Sequence, residues 1–597
     1  MFRRFLKEHS FGEYDFAYRM FPDINNREYW DNYSSREIIE KAEKYLDYSW
    51  PPIKATAFME FKRSGDRLCM EDVHFERREA LAMLVMGELS ENSGRFLPDI
   101  VNGIFSICEE SYWGLSAHWY KKIGNIPTPH EPYIDLYASE TAEHLAVAID
   151  VLRAPLLNFC PEIIDRVERE LEIRIKEPYL THKDFDWMGY EVRPANWTTW
   201  ILSNVITVFL LTEKNTERLG VGLTKMFVEM QHYYDVIPAD GGCDEGVHYW
   251  DRAGAAIFEF VYQVKLASGG AVDLFDDEKF KNMGLYTKNA HIYGARFICF
   301  ADCSETKKTG IVPFIYGYGR ETKTPALVSL AREVFRDGGA KRYQPSLTLR
   351  RNIICHDFIS ELSSRDDIAP FVGERCACMN DLEVATLRAG DWILAAKGGH
   401  NAESHNHNDV GTFSLYFKDE PILCDVGTAV YSKKTFSLQR YEIPWVRSIT
   451  HNLPEINGEE EKNGRKYQAS SFEAEEGRVK ISFADAYPSS AAVSSVDRVC
   501  NLGENGLLLT DKFEFSGEEK KVKEGFVTTL PVRVAGDTAI IDERFFVTAS
   551  GANAQTEYFS FEGDRNLVGS WKCEGVTRIF FEFDGAESIT VTAGKLA

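Results

Sequence analysis

Basic residues are in short supply: 68 Lys+Arg stand against 92 Asp+Glu, a formal net charge of −24 over 597 residues. Such a balance excludes non-specific nucleic-acid binding and docking on anionic membranes, both of which need an excess of Lys and Arg. An anionic substrate must then be drawn by a local patch. Long hydrophobic runs are missing too. A bilayer-spanning helix takes about 20 apolar residues, and the longest apolar-rich stretch, residues 200–211 (WILSNVITVFLL), reads instead as a buried helix. The N-terminus, MFRRFLKEHSFGEYDF, has the basic residues of a signal peptide without the apolar stretch behind them, so a cytoplasmic location is expected. The twelve cysteines are scattered singly, with only Cys376 and Cys378 close together and no CxxC pair. That argues against a zinc ribbon or dithiol motif and fits reduced thiols. A hydrophobic share of 44% with 27% charged residues excludes a disordered chain.

What is present falls into two halves. Apolar residues recur at helical spacing over 137–154, ended by Pro155, and over 161–175, which opens on Pro and acidic residues. The pattern continues over 196–211, 218–234 and 253–267, and 325–335 closes the set. After about residue 380 the period changes to two: 381–388, 392–397, 412–417, 479–483, 506–513, 577–583 and 588–592 read as strands. Helices followed by strands indicate separate all-α and all-β layers and not alternating βαβ units. No fixed-period repeat suggests a solenoid. The expected domains are 1–365, helical, and 366–597, antiparallel β.

Three polar constellations stand out. GGHNAESHNHND (398–409) places His400, His405 and His407 among Asn401, Asn406, Asn408 and Asp409. If extended, His405 and His407 share one face. With Asp425 (ILCDVGT) and His451 (SITHNLP) downstream, a His, Asp, His set suits zinc or manganese, although the spacings are long and a hydrogen-bonded loop cluster is the alternative. ADGGCDEGVHY (239–249) joins a turn to Asp244, Glu245, His248 and Tyr249; the two carboxylates fit either a glycosidase pair or the start of a helix. In RPANWT, Asn196 reads as a helix N-cap.

These segments carry a resemblance. GGHNAESHNHNDVGTFSLYFKDEPILCDVGTAVY and RYEIPWVRSITHNLPEING resemble the central signature of the heparinase II/III-like polysaccharide lyase superfamily. NWTTWILSNV and DGGCDEGVHYW resemble its catalytic-helix segments, and YWGLSAH followed by IDLYASETAEHLA its more N-terminal helices. The resemblance implies a multidomain α+β fold, an incomplete (α/α) toroid followed by an antiparallel β-sandwich domain. It also implies a carbon–oxygen lyase that cleaves uronic-acid glycans by β-elimination: hyaluronan, chondroitin, heparan sulfate or alginate. Residue by residue, it assigns Asn196 to the uronate carboxylate, Tyr249 to acid/base transfer and His405 to base or neutraliser. His407, Asp425 and His451 become ligands of one divalent ion, zinc or manganese, of structural purpose. Several relatives carry Asn-His where this chain has Asn196-Trp197, so His248 and His118 are candidates to stand in for that base. Trp113, His118, Trp197, His248, Trp250, Arg296 and Arg440 are candidate sugar contacts, since aromatics stack on sugar faces and Arg forks match carboxylates or sulfates. The expected partner is an anionic poly- or oligosaccharide, with neither nucleic acid nor membrane; a homo-oligomer is left open. The other readings are a glycoside hydrolase using Asp244 and Glu245, and a non-catalytic carbohydrate-binding protein.

Overall fold

The computed structural model describes residues 1–119, 124–128, 132–339, 348–432, 434–435 and 437–596. The fold is α+β, an incomplete helical toroid and antiparallel β-sheets, in two compact units. The first comprises Met1–Ile237, Arg252–Asp277 and Ala340–Asp366; the second comprises Pro238–Asp251, Glu278–Gly339 and Asp367–Ala597. The last crossing between them falls one residue from the expected 365/366 boundary, but Pro238–Asp251 and Glu278–Gly339, from within the expected helical domain, belong to the second unit.

In the first unit the helix Asn196–Thr212 packs against Leu136–Val151, Gly254–Ala267 and Thr216–Val236, and Leu349–Ser364 packs on Leu136–Val151. Asn196–Thr212, Leu136–Val151 and Gly254–Ala267 are buried on most sides and largely apolar, as interior helices are. Leu136–Val151 begins where the Asp135 carboxylate accepts from the Ala138 N–H at 2.7 Å. Pro155, expected to end it, lies in a separate short helix, Arg153–Phe159, whose first turn has no use for the N–H that proline lacks. The helix expected over 161–175 runs as Glu162–Leu171 and then loosens into a wider turn, Glu172–Lys176. Residues 325–335 do not close the helical set: Leu349–Ser364 follows. Among the described residues no helix is long and apolar enough to cross a membrane.

The second unit holds three large antiparallel sheets, of five, eight and four strands, besides the two-stranded pair His291–Tyr293 and Arg296–Phe297. The five-stranded sheet runs Cys376–Met379, Val384–Ala389, Trp392–Lys397, Phe413–Phe417 and Glu420–Leu423 in chain order, with Trp392 opposite Phe417 and Val384 opposite Lys397. The eight-stranded sheet centres on Gly506–Phe515 between Val493–Gly503 and Ser588–Lys595. Leu507, Leu509 and Phe513 point inward while Leu508 is exposed, the alternation of a sheet with one covered face. Side chains of all three sheets, including Leu394, Phe413, Leu509, Phe526 and Phe581, share one apolar core. Arg498, fully buried within it, is matched by Asp511 at 2.6 Å and Glu524 at 2.8 Å.

Candidate functional site

The histidine-rich segment is the connection between the strands Trp392–Lys397 and Phe413–Phe417. It is not extended. His405 adopts φ +56°, which turns the backbone, so strand alternation does not govern His405 and His407. Buried polar anchors hold the loop instead. Lys397 pairs with Asp409, and with Glu403 at 2.9 Å; Asn401 donates to Glu461 Oε2 at 3.0 Å; the Asn408 N–H donates to the Val446 carbonyl at 2.9 Å.

Two glycines let other segments of the same unit come close. At Gly246, φ +86°, a Cβ would lie 2.8 Å from the Phe300 carbonyl oxygen. At Gly427, φ +75°, it would lie 2.4 Å from the Cys303 carbonyl oxygen. Tyr249 and Asp425 thereby flank the segment that carries Asp302.

Asp302 is the centre of the arrangement. Its Oδ2 lies 2.7 Å from His405 Nδ1 and 2.9 Å from Tyr431 Oη, and its Oδ1 lies 3.0 Å from His407 Nε2 and 3.2 Å from Arg440 Nη2. An ionised carboxylate only accepts, so all four partners donate. Burial pushes the Asp302 carboxyl up, but hydrogen bonds from His405 and His407, with the charge of Arg440, hold it well below the usual carboxylate range. Burial pushes the His405 imidazole down, while the Asp302 bond and charge and the Glu245 charge outweigh it and raise it. The Tyr249 ring stacks on the His405 ring at 4.3 Å between centroids, and Tyr249 Oη lies 2.7 Å from Tyr431 Oη. The Tyr431 phenol is raised, by burial first and then by Asp302.

Beside this network, His407, Asp425 and His451 each offer a ligand atom within 4.8 Å of the others, all buried. His451 Nδ1 bonds Asp425 Oδ2 at 2.8 Å. His407 Nδ1 and His451 Nε2 are buried atoms with no hydrogen-bond partner among the described residues. Two imidazole nitrogens left open next to a carboxylate fit a divalent ion of the zinc or manganese kind.

The remaining candidates divide. Glu245 Oε2 lies 3.8 Å from His405 Nε2, and Asp244 Oδ2 accepts from the Ser404 N–H at 3.4 Å, so both carboxylates serve the histidine loop. His248 is exposed. Arg440, a candidate sugar contact, is buried, its guanidinium spent on Asp302 and on the Asn406 and Thr435 carbonyls. Arg296 likewise pairs with the buried Glu305. Trp250 is a core residue, its indole N–H donating to the Met283 carbonyl at 2.7 Å. In the first unit Trp113 is also core, bonded to the Ile107 carbonyl at 2.9 Å. Asn196, buried, is the first residue of its helix and not its N-cap; Ala195 holds that position without a side-chain bond, so capping does not account for the asparagine. His118, partly exposed, is held through Nδ1 by the buried Asp135 at 2.7 Å, and its ring lies 4.6 Å from that of Trp197. Asp302 and Tyr431 had no expectation attached. An aspartate interrupting the apolar run FICFADC was the available signal for the first; the second had none.

Residues 373–577 match the family model described as Heparinase II/III-like, C-terminal. No curated protein matches the chain in sequence. Among solved structures, heparinase III superposes with a TM-score of 0.66 at 12% identity, covering 94% of this chain and 85% of that one. A mutant of heparan sulfate lyase from Pedobacter heparinus gives 0.61 at 13% identity, covering 100% and 87%. A mutant of chondroitin AC lyase from Streptomyces coelicolor A3 gives 0.51 at 9% identity, covering 93% and 79%. The chain therefore carries a heparinase II/III-like C-terminal domain, and its fold is the toroid and β-sandwich of these polysaccharide lyases.

Proposed function

We propose that the protein is a polysaccharide lyase that cleaves uronate-containing glycans by β-elimination. The observation that carries the reading is the stacked Tyr249–His405 pair, tied by Tyr431 to one buried carboxylate. The reaction removes a weakly acidic C5 proton beside a carboxylate and expels the 4-O-linked sugar, so it needs a base, an acid for the leaving oxygen, and donors that offset the carboxylate's growing negative charge.

His405 suits either of two parts. With Nδ1–H fixed on Asp302, its Nε2 carries the lone pair of a base; protonated, the same atom is a donor for a carboxylate. Tyr249 gives its phenolic proton to the leaving oxygen while His405 takes the C5 proton; for one uronate epimer Tyr249, as the phenolate, itself takes the C5 proton and passes it to the leaving oxygen. Asn196 offers an amide that donates to the carboxylate without a charge to bury. His407, Asp425 and His451 would hold a divalent ion, zinc or manganese, which when bound would order the loop bearing His405. The neighbours' names, heparinase III, heparan sulfate lyase and chondroitin AC lyase, make a glycosaminoglycan the leading substrate class, with alginate second.

The test is ultraviolet absorbance during incubation with hyaluronan, chondroitin, dermatan and heparan sulfates, heparin and alginate, each as polymer and oligomer. A rising conjugated-uronate signal is expected, lost by about 10²–10⁴-fold in Tyr249→Phe. New reducing ends without that signal would replace this reading by hydrolysis through Asp244 or Glu245. Binding without either product would leave a carbohydrate-binding protein.

A further inference from the structure

We infer that Asp302 and Tyr431 are positioning residues that couple the acid/base pair to the metal ligands, Asp302 by dividing its two oxygens between them. The inference rests on the lyase reading for its kinetic arm only.

The argument is one of proton placement. Asp302 is 2% exposed in its side chain and accepts four donors, two on each oxygen. On Oδ1, the His407 Nε2–H bond commits that ring to the tautomer whose lone pair is on Nδ1, the buried nitrogen without a hydrogen-bond partner among the described residues. A carboxylate behind a metal-binding histidine fixes both the tautomer and the ring orientation. On Oδ2, the bond from His405 Nδ1–H does the same for the other ring and leaves its lone pair on Nε2. Tyr431 also donates to Oδ2, so its own hydrogen is spent, and at the 2.7 Å Tyr249–Tyr431 contact the Tyr249 hydroxyl must be the donor. Once Tyr249 has lost its proton, the Tyr431 hydrogen can turn to the phenolate oxygen, replacing a bond to Asp302 by one to the nascent anion. Arg440 Nη2 at 3.2 Å stays on the other carboxylate oxygen, Oδ1, and takes no part in this exchange. One side chain, more than 100 residues upstream of the histidine loop, thus sets the proton positions of His405 and His407 directly and that of Tyr249 through Tyr431.

Two variants separate the branches. Asp302→Asn keeps the shape, but the amide nitrogen cannot accept, so one histidine loses its acceptor. Tyr431→Phe removes only the branch to Tyr249. Zinc and manganese affinities are to be measured on the purified full chain by competition with a chromophoric chelator. Alongside them go thermal midpoints with and without chelator, and kcat and KM on whichever glycan the panel identifies. For Asp302→Asn we expect metal affinity to fall about 10–100-fold, the usual effect of removing such a supporting carboxylate, with kcat falling as well. For Tyr431→Phe we expect metal affinity unchanged, kcat lower by about tenfold or more and KM within about twofold, because the lost bond acts mainly in the transition state. Asp302→Glu, which keeps the charge, should recover part of the metal affinity, and it takes the place of Asp302→Asn should that variant fail to fold. Wild-type metal affinity in the Asp302 variants, or wild-type kcat in Tyr431→Phe, would overturn the inference. The metal arm needs no turnover: a chain that binds zinc in an Asp302-dependent way yet cleaves no uronate glycan overturns the lyase reading and leaves the Asp302 branch standing.

Discussion

Two tryptophans that look alike in the sequence behave differently as residues. Trp113 is 1% exposed, with its indole N–H bonded and the Arg174 guanidinium 4.7 Å above its ring. Trp197 is only partly buried, and its ring meets the His118 imidazole, itself tethered to Asp135. Trp113→Ala should therefore open a cavity costing about 3–5 kcal/mol, seen as a lower thermal midpoint with KM unmoved. Trp197→Ala should do the reverse, raising KM with little loss of stability. A raised KM in Trp113→Ala at an unchanged midpoint would return Trp113 to the sugar-contacting residues. The candidate residues were legible by type: His405, Tyr249 and the His407, Asp425, His451 set stand in one unit, with the last three side chains clustered. It could not give the partner of His405. That partner is Asp302, and a separation of 103 residues leaves no local spacing to betray it. Arg296 and Arg440 were legible as guanidinium forks but not as spent ones, because Glu305 and Asp302 claim them only through tertiary packing.

At the scale of the element, the loop between Trp392–Lys397 and Phe413–Phe417 depends on a charge at its own root. Lys397 is 3% exposed in its side chain and faces Glu403 and Asp409, both buried and both within the loop. Lys397→Met fills the space but leaves two carboxylates uncompensated. Breaking a buried pair on one side costs about 3–5 kcal/mol, so the thermal midpoint should fall. Amide exchange should quicken over 398–412 while staying slow in the strand Gly506–Phe515. Unchanged exchange in the loop would show that its fold does not rest on Lys397. Strands such as Trp392–Lys397 were readable to the residue because a short apolar run stands between turn residues, here Gly390-Asp391 and Gly398-Gly399. Whether the loop is extended was not legible, because nothing in HNHND announces the positive φ of His405. Leu349–Ser364 escaped for another reason. Its interior position buries Arg350 and Arg351, with Arg351 Nε on Glu259 at 2.8 Å and Arg350 Nη2 on Asn204 at 2.9 Å. A helix whose buried face includes arginines shows no apolar stripe to read.

Across the whole molecule, buried ionisable groups of opposite habit set the response to acid. His144 is held down to about 3 by burial and then by Arg78 and Arg350, so it stays neutral in the fold. His291 is likewise at about 3, through burial and then Arg388. Below the ordinary histidine value of 6.5 the unfolded chain takes up these protons and the fold does not, so each histidine lowers stability progressively as pH falls from 6.5 towards 3. Glu143 acts the other way. Burial raises it to about 7 despite Arg350, so between pH 7 and the ordinary value of 4.5 the fold binds a proton that the unfolded chain does not, and acid stabilises it. Glu305, raised to about 7 by burial, follows Glu143. The net slope of stability against pH hides these contributions, but single variants expose them, each by up to about 1.4 kcal/mol per pH unit. From pH 7 to pH 5, the thermal midpoint of His144→Gln should gain on that of the wild type, while Glu143→Gln should lose ground over the same interval. A difference that stays flat with pH, or that runs the other way, in either variant would mean that the group replaced there does not hold the protonation state its burial dictates.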